Sequence, residues 1–179
     1  MRTPSPRKNP IRPRHKDSAG RMRTINCKSS LRLTLAAAIF LSAAHAHAHQ
    51  VIGIADGDTM TLLVDKKPLK IRLANIDAPE KKQPFGQRSR QSLSDLCWEK
   101  DATYQVQDID RYGRTVAVVT CDGVEANRAQ VERGLAWTYQ KYNKDRELPE
   151  LQEQAKAARR GLWADKEPVA PWEWRKARR

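Results

Sequence analysis

Residues 69–80 read LKIRLANIDAPE. Leu69, Ile71 and Leu73 alternate with Lys70 and Arg72, the period of two that marks a strand with one buried face, and Asp77-Ala78-Pro79 then breaks it. Upstream, VIGIAD (51–56), a DGDT turn (56–59) and TMTLLVD (59–65) carry the same signal, with a polar break at Lys66-Lys67-Pro68. Three strands this close in sequence predict an antiparallel meander.

Downstream, residues 77–84 (DAPEKKQP) hold two prolines and form a loop, and FGQRSRQSLSDLCW places Phe85, Leu93, Leu96 and Cys97 at helical spacing. ATYQVQDID (102–110) and TVAVVT (115–120) flank the turn RYGR and predict a hairpin. A short helix is expected from Glu125 to Arg133, stopped by Gly134, followed by LAWTYQKYN as an aromatic strand or loop. Leu148, Leu151, Ala155 and Ala158 share one face of a helix running to Arg160, with Gly161 as its stop. Five strands and about three helices predict an α+β domain whose sheet closes into a barrel.

The chain has 179 residues and a formal net charge of +13, which suggests a polyanion partner until the charges are placed. Residues 1–46 hold ten Lys+Arg and one acid, and Arg175, Lys176, Arg178 and Arg179 add four more positive charges, so the body between is near neutral. From Met22, a possible start, a basic segment leads to an apolar stretch from Leu33 to Ala44 and to A-x-A patterns ending at Ala46 and Ala48. This is secretory-signal grammar, and the stretch is too short for an ordinary membrane span. The expected organisation is a basic lead-in and signal over 1–46, a domain over 47–164 and a basic, Pro- and Trp-containing tail over 165–179. The product is expected in the periplasm or outside the cell, monomeric and without stable membrane association.

All four histidines (His15, His45, His47, His49) precede residue 50. A domain starting near Gln50 therefore lacks imidazole for Ser/His/Asp or Cys/His triads and for His-bearing zinc sites. Cys97 and Cys121 remain in the mature chain, either as a disulfide formed in an oxidising compartment or as two buried thiols. Asp56, Asp58, Asp77 and Glu80 stand at strand ends and offer hard oxygen ligands suited to Ca²⁺ or Mg²⁺, although DG and DAP are also ordinary turn sequences. Arg72 and Arg114 stay charged and can grip a phosphate bidentately, although each also reads as a surface or salt-bridged arginine.

Taken together, DGDT, IRLANIDAPE, DRYGR and VERGLAW, in that order, resemble the thermonuclease (staphylococcal nuclease-like) family over residues 50–164. The resemblance implies a five-stranded OB-fold barrel with packed helices and Ca²⁺-dependent hydrolysis of DNA, with RNA as a further substrate, leaving 3′-phosphate ends. By the same resemblance Asp58 and Asp77 are the side-chain Ca²⁺ ligands and Ala78 adds its main-chain carbonyl, where the family often has Thr. Asp56 stands behind them, Glu80 positions or deprotonates the attacking water, and Arg72 and Arg114 hold the phosphate. Tyr112, Trp137 and Tyr139 are candidates to stack on bases, with Trp137 also reading as core, and Lys81 and Lys82 to contact backbone phosphates. Trp163, Trp172 and Trp174 are expected to pack the tail on the domain. The alternative weighed against an enzyme is a non-catalytic nucleic-acid-binding module on the same barrel.

Overall fold

The computed structural model describes residues 47–178; the expected lead-in and signal segment over 1–46 lies outside them. Strands β1 (His49–Ile54), β2 (Thr59–Val64) and β3 (Lys67–Leu73) form the antiparallel meander. β1 also pairs antiparallel with β5 (Asp101–Ile109), and β5 with β6 (Thr115–Cys121). A parallel pairing of β3 with β6, Ile71 opposite Thr115 and Leu73 opposite Ala117, closes the five strands into a barrel. Bulges in β1 near Val51–Gly53 and in β5 near Val106–Asp108 supply the local bending that closure needs.

The alternation read from sequence decides which residues face inward. Val51, Met60, Leu62, Ile71, Leu73 and Val119 are fully buried in the barrel. Helix α1 (Gly86–Cys97) adds Leu93 and α2 (Ala126–Glu132) adds Val131 to this core, while α3 (Leu148–Ala157) adds Leu148. A short pair, β4 (Ile76–Asp77) with β8 (Trp137–Thr138), ties the end of the meander to the chain between α2 and α3. β7 (Val124–Glu125) extends the sheet beside β6.

Two local expectations are corrected. The break at Lys66-Lys67-Pro68 is instead a two-residue turn at Asp65–Lys66, both at positive φ, and Lys67 and Pro68 already belong to β3. Pro68 is tolerated because β3 pairs with β6 only over Ile71–Leu73, leaving its first half with one neighbour. The third helix ends at Ala157 rather than Arg160, with Arg159 and Gly161 at positive φ. A 3-10 turn spans Gly161–Ala164 at the end of the expected domain, and the expected tail holds a helix, α4 (Pro171–Lys176), started by its own proline.

Cys97 at the end of α1 and Cys121 at the end of β6 are joined by a disulfide, with Cα atoms 5.3 Å apart. Among the described residues no helix is long and apolar enough to cross a membrane.

Candidate active site

Register brings the site together. Thr59 pairs with Arg72 across β2 and β3, so Asp58, one residue before Thr59, is delivered to the guanidinium, and Leu73 N–H donates to Asp58 O at 2.8 Å. Barrel closure sets Arg72 opposite Val116, which places Arg114, just before β6, on the same end. β4 follows β3 after two residues and presents Asp77.

Arg72 Nη2 donates to Asp77 Oδ1 at 3.0 Å and lies 3.2 Å from Asp58 Oδ2, so two buried carboxylates converge on one nitrogen. Arg72 Nη1 is held by Leu73 O at 2.6 Å. Ala78 N–H donates to Asp58 Oδ2 at 2.7 Å, and Asp58 N–H to Asp56 Oδ1 at 3.2 Å. Thr59 Oγ1 donates to Asp58 Oδ1 at 3.0 Å and accepts from Arg114 Nη1 at 3.4 Å, so Arg114 is linked to the carboxylates through one hydroxyl.

Burial pushes the Asp77 carboxyl above the ordinary range, although Arg175 and Arg72 pull it down. Burial and the neighbouring Asp58 charge push Asp56 up to about 6. The cluster is short of positive charge: Asp58, Asp77 and Glu80 share Arg72 and one further arginine, and Asp56 pairs with neither.

That further arginine comes from the tail. Arg175 on α4 donates to Asp77 Oδ2 at 2.6 Å and to Glu80 Oε1 at 2.8 Å, 98 and 95 residues away in sequence. The sequence pointed to a tail packed on the domain through its tryptophans but carried no signal that Arg175 would reach the carboxylates. The tail is fixed by Gln83, whose Nε2 donates to Val169 O at 2.7 Å while its Oε1 accepts from Glu80 N–H at 3.1 Å.

Other supports were also missed. Asp110 Oδ2 accepts from Arg114 Nε at 2.7 Å, and its Oδ1 accepts the N–H groups of Tyr112 and Arg114, so the RYGR turn is a carboxylate-stapled mount for Arg114. Buried Asn127 bonds Ala74 O, Ala117 O and Val119 N, holding the end of β3 to β6, and buried Gln130 donates to Gly57 O at 2.6 Å. A polar residue at helical spacing inside an apolar face was the only signal for either. Gly57 and Gly86 are required by close approach. A Cβ on Gly57 would lie 1.8 Å from Ser89 Oγ, and one on Gly86 1.9 Å from Glu80 O.

The aromatic candidates divide. Tyr112 is exposed and lies beneath the Arg114 guanidinium, 5.6 Å from its centroid. Tyr139 stacks on Trp172 at 5.4 Å and meets Tyr142 edge-on. Trp137 is wedged between Trp163 and Trp172, with a buried Nε1, and belongs to a satellite core with Phe85 and Leu162. Lys81 and Lys82 are exposed on the loop beside Glu80.

The family profile described as "Staphylococcal nuclease homologue" matches residues 70–165. Protein ParB of Escherichia coli is 39% identical over 160 residues, 82% of this chain and 90% of that protein. Micrococcal nuclease of Shigella flexneri is 37% identical over 163 residues, 83% and 94% of the two chains. An uncharacterized endonuclease of Escherichia coli O157:H7 is 44% identical over 127 residues, 70% and 83% of the two chains.

Proposed function

The chain belongs to the staphylococcal nuclease family, and from that premise we propose that it is an exported nuclease that hydrolyses phosphodiester bonds in DNA, and in RNA, with Ca²⁺ as cofactor. The observation that carries this reading is the convergence of Asp58, Asp77, Glu80 and Arg72 at one barrel end, with Arg114 linked through Thr59.

The residues fit a hard divalent cation. Asp58 and Asp77 face each other closely enough to share Arg72 Nη2, and a guanidinium already rests on Asp77 Oδ2. Among the described residues no group of three or more His, Cys, Asp or Glu side chains is placed to hold a metal ion by itself. An ion here would rest on Asp58, Asp77, the main-chain carbonyl of Ala78 and water. When bound, Ca²⁺ would neutralise phosphate charge and polarise the scissile phosphorus centre.

Arg72 and Arg114 would grip the non-bridging oxygens and stabilise the charge of the five-coordinate transition state. Glu80, the most exposed of the carboxylates and free of the Asp58–Arg72 pair, would hold a water for in-line attack opposite the leaving 5′ oxygen. No imidazole is required. The disulfide supports export, since such bonds persist in oxidising compartments.

The test is cleavage of plasmid and single-stranded DNA by the protein purified after export, with Ca²⁺, Mg²⁺ or chelator, followed by end-group analysis of the products. Degradation that requires Ca²⁺ and leaves 3′-phosphate ends is expected. Salt-sensitive binding without cleavage in any metal would instead establish the binding-module alternative.

A further inference from the structure

The tail helix does more than cover the domain. α4 carries two tryptophans two residues apart, so at about 100° per residue they point to roughly opposite sides of the helix. Trp172 faces the domain, stacked on Tyr139 and edge-on to Trp137 at 5.7 Å. Trp174 has none of these partners. It is half-buried, with the Arg178 guanidinium 4.1 Å from its ring centroid, and it lines an open cleft of about 490 Å³.

Across that cleft stand Lys81 and Lys82, and Glu80 opens onto it. Among the described residues Lys81 and Lys82 form no ion pair. Two chain segments some 90 residues apart thus build one surface: the Trp174 ring with Lys81, Lys82, Arg175 and Arg178, beside the carboxylates of Glu80 and Asp56. Tyr112, Tyr139 and Arg114 are not part of its lining.

We propose that the cleft between α4 and the loop after β4 binds the unpaired nucleotide on one flank of the scissile bond, with its base on Trp174 and its phosphates on Lys81, Lys82 and Arg178. A base within a duplex has both faces covered by its neighbours, so Trp174 can stack only on an unpaired one, and the cleft selects single strands. The placement of the scissile bond rests on the nuclease reading; the binding itself does not.

The experiment is fluorescence anisotropy with a labelled mixed-sequence single-stranded DNA and a hairpin duplex, in chelator so that nothing is cut. Trp174→Ala is expected to weaken single-strand binding at least fivefold and duplex binding less than twofold. Trp174→Phe, which keeps a π face and is the safer variant for folding, should stay within about threefold of wild type. Lys82→Gln should weaken both ligands and flatten the salt slope by about one. Single-strand affinity unchanged in Trp174→Ala, or equal weakening of both DNAs, would overturn the proposal. A protein that binds in this pattern but never cleaves in Ca²⁺ would keep the cleft and remove the nuclease reading; one that cleaves normally with Trp174→Ala neutral in binding would do the reverse.

Discussion

Asp56 bears the costliest charge among the described carboxylates. Burial first, and then the Asp58 carboxylate, raise it to about 6 from 3.8. A folded-state value above the unfolded one means that the metal-free folded protein binds the extra proton between about pH 4 and pH 6, and that stability is lost as pH rises through this window. Asp56→Asn keeps the acceptor for Asp58 N–H and removes the charge. It should therefore stabilise the metal-free protein at pH 7.5 by on the order of 2 kcal/mol and do little at pH 4, as read from urea unfolding at both values. Equal effects at the two values would show that the charge is not the cause. At the same scale, Asp110→Ala releases Arg114 from its mount and is expected to lower kcat by roughly 10- to 100-fold with KM changed less, because a misplaced guanidinium is lost mainly in the transition state. The gathering of Asp58, Asp77, Glu80, Arg72 and Arg114 at one barrel end was legible, because the acids and Arg114 sit in short motifs beside strand ends and Arg72 is an arginine inside a strand. Asp110, Asn127 and Gln130 were not, because a turn carboxylate and two helix amides acquire meaning only when barrel closure shows what they hold.

Among the elements, strands and helices were readable from periodicity, while the ends of the strands and the fate of the tail were not. A hairpin turn at Asp65–Lys66 uses two positive-φ residues other than glycine, so composition gave no sign of it. α4 is six residues long and too short to announce itself by pattern; its position comes from Trp172 on Tyr139 and from Gln83 on Val169 O. Its consequence is large, because Arg175 occupies Asp77 Oδ2, an oxygen of one of the two carboxylates proposed to hold the cation. Arg175→Ala is expected to tighten Ca²⁺ binding several-fold in isothermal titration without substrate, since no guanidinium then has to be displaced. Unchanged or weaker binding would mean that Arg175 and the ion do not compete.

Residues 47–178 are built on a closed barrel whose two halves are joined by β3 with β6 and β1 with β5, and the disulfide fastens α1 to the last long strand. The bridge closes a loop of 25 residues, from a separation of 24, and on the chain-entropy view contributes roughly 3 kcal/mol. Reduction, or replacing both cysteines with serine, should lower the denaturant midpoint accordingly while leaving the circular dichroism spectrum unchanged at low denaturant. A loss below about 1 kcal/mol would indicate that barrel closure alone constrains this loop. The same closed end gathers the carboxylates and arginines, so the central claim is that one barrel end binds Ca²⁺ and aims water through Glu80. The most direct measurement compares wild type with Glu80→Ala for turnover of single-stranded DNA in saturating Ca²⁺, with Ca²⁺ affinity measured on both. The account predicts turnover reduced at least about 1,000-fold with Ca²⁺ affinity kept within a few-fold; near wild-type turnover in Glu80→Ala would contradict it.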